Sequence, residues 1–275
     1  MNDRLCGCTF IHAGRSLEAG MASAVAFGFR TVDIAAGSTQ AHWPVAQVIA
    51  EPQRVAEQVR SAAHKFDLRV NECLTLDLGP PINHPDRAVR RQTAAQFPAL
   101  ARFAAAAGLR SVLLIPGPVH DQVGAARSLD LAVEALGELA AIATDHGVRL
   151  HVEADCDSCA NTPELALQLC QRTPGIRLTL DYSHFVYLGI DQRQVDALLA
   201  HAGHVHIRQA AADRIIAPAA EPTIDFARIV RCLDELRYNG LFCIEYLQIE
   251  ALAHLGIDCD HETRMMIDLM ERILT

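Results

Sequence analysis

The sequence has little that would carry it to nucleic acid or into a membrane. Lys and Arg number 24 against 33 Asp and Glu, so a formal net charge of −9 sets the chain as a whole against phosphate backbones and anionic lipid. No apolar run approaches the roughly 20 residues of a membrane helix. The opening MNDRLCGCTF lacks the basic stretch and long apolar stretch of a secretory leader, so the expected location is the cytoplasm. The turn IHAGRS, after the first apolar run, has no GxGxxG, which removes the usual mark of dinucleotide binding. A second CxxC is also missing: Cys156 and Cys159 lack the partner pair that would close a zinc site. The nine cysteines are odd in number and spread from Cys6 to Cys259, which favours reduced thiols over a disulfide framework. No linker or low-complexity tract interrupts the chain, and residues 1–275 read as a single domain.

What is present is an alternation of short β-type runs with longer alanine-rich helical stretches, in a chain whose 51% apolar content suffices for one large core. Strands are expected at Cys6 to Ile11, Thr31 to Ala35, Leu68 to Leu76, Ser111 to Ile115, Val148 to Glu153, Ile176 to Asp181, Gly203 to Arg208 and Leu241 to Glu245. Helices are expected at Leu17 to Phe27, Ala88 to Ala107, Leu129 to Asp145 and Ile224 to Leu236, with Gly28, Gly108 and Gly147 as left-handed caps. Eight such βα units in about 250 residues or slightly more fit a single (β/α)8 TIM barrel better than a doubly wound sheet.

In such a barrel the chemistry sits at the C-terminal ends of the strands. Four consecutive strands end in metal-ligand types: His151-Val152-Glu153, Leu180-Asp181, His204-Val205-His206 and Ile244-Glu245. Alternation turns Val152, Leu180, Val205 and Ile244 toward the helices and Glu153, Asp181, His206 and Glu245 into the barrel. Three buried carboxylates at one level repel unless a cation neutralises them, so these four residues are expected to bind one divalent metal. Three oxygen donors and an imidazole favour Mn²⁺, with Mg²⁺, Co²⁺ and Zn²⁺ also suited. His184 and Arg208 lie just beyond this ring and are expected to hold substrate oxygens. His151 and His204 lie one inward position lower, as supporting or core histidines. Arg214, His120, Glu72 and His12 fall on or near loops that follow strands, with His120 expected as a substrate contact. Trp43, the single tryptophan, is either an apolar wall for a ligand or a buried anchor for its loop.

The order of these segments resembles the xylose isomerase-like TIM barrel superfamily, which holds sugar isomerases and epimerases and AP endonuclease family 2. The resemblance covers nearly the whole chain. It rests on LEAGMASAVAFGFRTVDI, HVEAD, the DxxH of Asp181 to His184, HVHIR around His206, and TIDFARIVRCLDELRYNGLFCIEY ending in Glu245. It implies that Glu153, Asp181, His206 and Glu245 bind the metal and that Glu153 and Glu245 are also the catalytic acid/base pair. It further implies that His184 and an arginine beyond strand seven, here Arg214, hold sugar oxygens. The chain departs from the epimerase pattern after the strand-seven histidine, where it reads Arg208-Gln209-Ala210 and then APAAEPT.

The implied substrate is an unphosphorylated polyhydroxy ketone, a sugar or cyclitol, since no phosphate-binding nest shows in the last two βα loops. Isomerisation or epimerisation by proton transfer beside a carbonyl is the leading expectation. Dehydration of the inosose or 3-dehydroshikimate type shares the first step and is the alternative. A nuclease of the AP endonuclease kind needs three zinc ions and extra histidines, whereas strands two and three end in Ala-Ala-Gly and Thr-Leu-Asp. A catalytically dead scaffold is disfavoured by the presence of all four ligand types. A homo-oligomer is compatible with the sequence.

Overall fold

Strands buried on both faces belong to a sheet covered inside and out. All residues of β1 (Leu5–Cys8), β2 (Thr31–Ala36) and β4 (Ser111–Leu114) are buried, as is nearly all of β3 (Arg69–Thr75), β5 (Arg149–Val152), β6 (Ile176–Asp181) and β7 (Ala202–Ile207). In the computed structural model, which describes residues 1–37, 41–75 and 78–275 and all but the side chain of Ala251 among them, these strands pair in parallel. A short hairpin of β8 (Gln209–Ala211) and β9 (Arg214–Ala217) follows β7, and β10 (Phe242–Ile244) then closes the barrel between β7 and β1. The strand order β1-β10-β7-β6-β5-β4-β3-β2 is that of a (β/α)8 barrel, as the alternation of runs predicts.

Helices cover the outside, and their sequences explain their limits. The helix Leu17–Phe27 starts where the Ser16 hydroxyl accepts from the Ala19 amide and stops at Gly28, whose φ of 95° only glycine adopts without strain. It buries Leu17, Gly20, Met21, Ala24 and Phe27, one face of the helical repeat. At Gly20 a Cβ would collide with the Thr9 carbonyl oxygen, so the missing side chain lets helix and barrel backbone touch.

Two expectations need correction. The stretch from Ala88 to Ala107 is two helices, Arg87–Ala94 and Phe97–Ala107, rather than one. Pro98 has no N–H for the Ala94 carbonyl, so the first helix does not run through it; it stands instead in the first turn of the second helix, where no N–H is needed. The segment after strand seven, on which the sequence made no structural prediction, is a bonded hairpin. Glu72 sits in the middle of β3, fully buried, and not near a loop. The last residue of the expected third strand, Leu76, lies outside the described residues, as does Asp77 beyond it.

The barrel interior is polar. Glu72 takes hydrogen bonds from Ser111 Oγ (2.6 Å) and Thr179 Oγ1 (2.7 Å) and pairs with His151 Nδ1 at 2.5 Å, which joins four consecutive strands through one carboxylate. Asp33 pairs with His204 Nε2 at 2.7 Å and accepts from Asn71 Nδ2 and the Glu72 amide. This layer is the floor on which the strand-end groups stand.

Candidate metal centre

Opposite Asp181 on β6 stands His206 on β7, and opposite His206 on β10 stands Cys243, two residues before Glu245. The alternation then aims Asp181, His206 and Glu245 inward at the C-terminal end, with Glu153 just past β5. One donor atom from each of these four residues lies within 4.8 Å of the other three. His206 Nδ1 is 3.3 Å from Glu153 Oε1 and 3.2 Å from Glu245 Oε2. Exposure is 6% at Glu153, 3% at Asp181 and Glu245 and 1% at His206, so water screens these charges poorly.

The electrostatics call for a cation. Burial alone would lower the basicity of His206, yet Glu245 and Glu153 beside it raise its pKa well above the ordinary histidine value. Burial works to raise the Glu245 carboxyl, but His206 and Arg208 outweigh it and bring its pKa down to about 2. Four buried atoms of the cluster, Glu153 Oε1, Asp181 Oδ2 and both ring nitrogens of His206, make no well-aligned hydrogen bond, although Arg208 Nη2 stands 2.8 Å from Asp181 Oδ2. Buried polar atoms left without hydrogen bonds are costly, and a divalent ion that takes one donor from each residue relieves Glu153, Asp181 and one His206 nitrogen. The donor set of three carboxylates and one imidazole therefore fits such an ion.

Two other groups of donors lie equally close below this one: Asp33, Glu72, His204 and His206, and Cys6, Asp33, His204 and Cys243. The carboxylates there already have partners, as in the Asp33–His204 and Glu72–His151 pairs, and burial pushes the Cys6 thiol up to about 12, away from the thiolate a metal needs. The upper group is the better centre.

The structure brings His184 and Arg208 to this centre. His184 Nε2 lies 3.8 Å from Glu153 Oε1 and 3.7 Å from Asp181 Oδ2, while its Nδ1 accepts from the Cys156 amide. Arg208 is buried, with Nη2 2.8 Å from Asp181 Oδ2 and Nη1 2.7 Å from Glu245 Oε2. Ser183 Oγ, which the sequence did not single out, receives Arg208 Nε at 2.9 Å and fixes the plane of the guanidinium.

Three expected substrate residues lie apart from it. Arg214 is on β9, paired with Glu221 at 2.6 Å on the surface. His120 packs edge-on to His84 and meets Asn83 Oδ1 at 3.0 Å. Trp43 is buried, packs edge-on to His42 and borders a surface cavity of about 550 Å³ with Leu17, Gln58 and Ala62. His12 follows β1 and is held by Gln248 and Asp260.

Asp33 is the supporting residue that sequence reasoning missed. It sits 3.9 Å from His206 Nε2, on the side away from the carboxylates, and the His204 pair helps hold its own pKa down against burial. The signal was present: in TVDIA a lone acid occupies the inward position of an otherwise apolar, fully buried strand.

Solved structures with this architecture include a D-psicose 3-epimerase with D-tagatose from Clostridium cellulolyticum H10, at 13% identity and a TM-score of 0.75 over 98% of this chain and 99% of that one. A xylose isomerase-like TIM barrel protein from Mycobacterium smegmatis in complex with magnesium matches at 17% identity and a TM-score of 0.73 over 99% and 98%. An IOLI protein with a bound zinc atom matches at 15% and 0.74 over 98% and 97%. At these identities the likeness establishes the fold. No curated protein matches the sequence. The xylose isomerase-like TIM barrel family model matches residues 21–261, the span that holds all four candidate ligands, and the chain belongs to that family.

Proposed function

We propose that the protein is a divalent-metal-dependent isomerase or epimerase that moves a proton beside the carbonyl of an unphosphorylated polyhydroxy ketone. The observation that carries this reading is the convergence of Glu153, Asp181, His206 and Glu245, three of which carry buried ligand atoms that lack hydrogen bonds. These four residues would hold the ion, with Mn²⁺ the preferred occupant and Mg²⁺, Co²⁺ or Zn²⁺ compatible with the donors. Such an ion acts as a Lewis acid that polarises a carbonyl and acidifies the adjacent C–H.

The rest of the chemistry falls to side chains. Glu153 and Glu245 approach the same His206 nitrogen from β5 and β10, strands that are not neighbours in the sheet. Two carboxylates so placed serve as base and acid, one removing the proton and the other returning it. The Arg208 guanidinium, locked by Ser183, Asp181 and Glu245, and the His184 imidazole stand ready to hold hydroxyl or carbonyl oxygens. Burial of the centre keeps bulk water from competing for the proton. The neighbours named as D-psicose and D-allulose 3-epimerases support a ketose as substrate class. Nine free cysteines agree with a cytoplasmic site of action.

The test is a screen of ketoses and inososes with Mn²⁺ in D₂O, followed by NMR. Deuterium at the carbon beside the carbonyl is expected, and Glu153→Gln and Glu245→Gln should abolish its uptake. His206→Ala should lower metal content by elemental analysis. Loss of water from the substrate would favour the dehydratase alternative, and turnover with the α-hydrogen fully retained would exclude proton transfer.

A further inference from the structure

Five consecutive barrel strands open with arginine. Arg30 precedes β2, Arg69 opens β3, Arg110 precedes β4, Arg149 opens β5 and Arg177 is second in β6. The N-terminal ends of parallel strands all lie at one end of a barrel, so these arginines stand at the end opposite the metal centre.

Three of them border concave space. A cavity of about 400 Å³ is lined by Arg110 and Arg149 together with Asn71, Ser111, His151 and Gly203. A smaller one of about 210 Å³ shares Arg149 and adds Arg177 and Arg237. Neither lining includes an Asp or Glu. Among the described residues no carboxylate pairs with Arg110, Arg149 or Arg177; the Arg177 guanidinium donates to the Ala200 carbonyl. In a chain of net charge −9 this is a local excess of unneutralised positive charge in a recess.

The floor of the larger cavity holds an unused polar atom. His151 is 3% exposed, its Nδ1 is taken by Glu72, and its Nε2 makes no hydrogen bond. Gly203 keeps the space before it open. The register between β6 and β7 shifts there, with Leu178 opposite Ala202 but Thr179 opposite His204, and a Cβ on Gly203 would lie 2.5 Å from His151 Nε2.

We infer that this end of the barrel binds a small, multiply charged oxyanion of the phosphate type. Guanidinium groups match the oxygens of phosphate two at a time, and three that border adjoining cavities without acidic partners favour an anion of more than one charge. A recess of this volume suits a small molecule; nucleic acid and an anionic bilayer would meet the repulsion of the whole acidic molecule. The site is separate from the metal centre and stands independently of the reaction proposed there.

Calorimetric titration of the full chain with sodium pyrophosphate, without added divalent cation, tests it. Saturable binding at one site per chain is expected. Arg149→Gln, which touches both cavities, should weaken it at least tenfold, as should Arg110→Gln with Arg177→Gln. Arg30→Gln, which borders neither cavity, should leave it unchanged, and so should His206→Ala at the far end. Absence of saturable binding, an equal response to sodium chloride at matched ionic strength, or unaltered binding in Arg149→Gln would overturn the site. Loss of binding in His206→Ala would place the anion at the metal centre instead, and citrate bound as tightly as pyrophosphate would overturn the phosphate class.

Discussion

His42 shows how one buried ring sets a pH dependence. Its Nε2 meets Thr9 Oγ1 at 2.8 Å, and burial pulls its pKa down to about 4 against a weaker upward pull from the Arg15 carbonyl. The unfolded chain takes up this proton below about pH 6.5 while the folded chain declines it, so this contribution to stability is full above 6.5 and is lost as pH falls toward 4. Urea unfolding between pH 7 and 4 should show this slope, and His42→Gln, which keeps a polar contact without a titrating ring, should flatten it. Arg208 sets a second test. Its removal leaves Asp181 and Glu245 buried without their counter-charge, a change that typically costs about 3–5 kcal/mol. Arg208→Gln should therefore be strongly destabilised in chelator and partly restored by Mn²⁺, read from unfolding midpoints. The inward aim of Glu153, Asp181, His206 and Glu245 was legible because alternation follows from strand geometry alone. That Arg208 would lie between Asp181 and Glu245 was not, since a side chain's reach across strands depends on register.

Among the elements, helix boundaries were legible where a cap or a proline marks them and lost where two signals compete. Leu17–Phe27 ends at Gly28 as read, whereas alanine-rich periodicity hid the break that Pro98 imposes. The hairpin β8–β9 was missed because its identity lies in side-chain bonds. Gln209 Oε1 accepts from the Thr223 and Ile224 amides and its Nε2 donates to the Ile224 carbonyl, which ties the hairpin to the next helix. Two glycines in helices should respond oppositely to alanine. At Gly20 the added methyl meets the Thr9 backbone, and a loss of about 1–3 kcal/mol is expected from overpacking. Gly137, inside Gly124–Asp145, faces open space, and alanine there should add about 0.5–1 kcal/mol through helix propensity. Thermal melts of Gly20→Ala and Gly137→Ala, each compared with the parent chain, check both signs.

For the molecule as a whole, acidity, metal and stability are linked through His206. With its folded pKa raised, His206 contributes stability that is complete below about pH 6.5 and is lost as pH climbs through the raised value. In the metal-free protein, unfolding free energy should fall over that range. A bound divalent ion takes the place of the proton, so saturating Mn²⁺ should raise stability by about 2.7 kcal/mol at a hundredfold excess over its dissociation constant, most visibly at the alkaline end. Denaturant titrations at several pH values, with and without Mn²⁺, read both effects, and a metal shift that persists in His206→Ala would contradict them. The alternation of the strands also governs which sequence changes the molecule can absorb. A substitution at Asp181 or Glu245 removes one group and leaves its neighbours in place, whereas one residue inserted between His204 and His206 would turn the upper half of β7 inside out, trading an imidazole for an aliphatic side chain. Two residues inserted below the site would instead keep the facing and raise that one strand by a layer, putting His204 where His206 stands in β7, or Cys243 where Glu245 stands in β10. Chain length within these strands is thus quantised in twos, and a change in donor chemistry from oxygen to sulfur is one such step away.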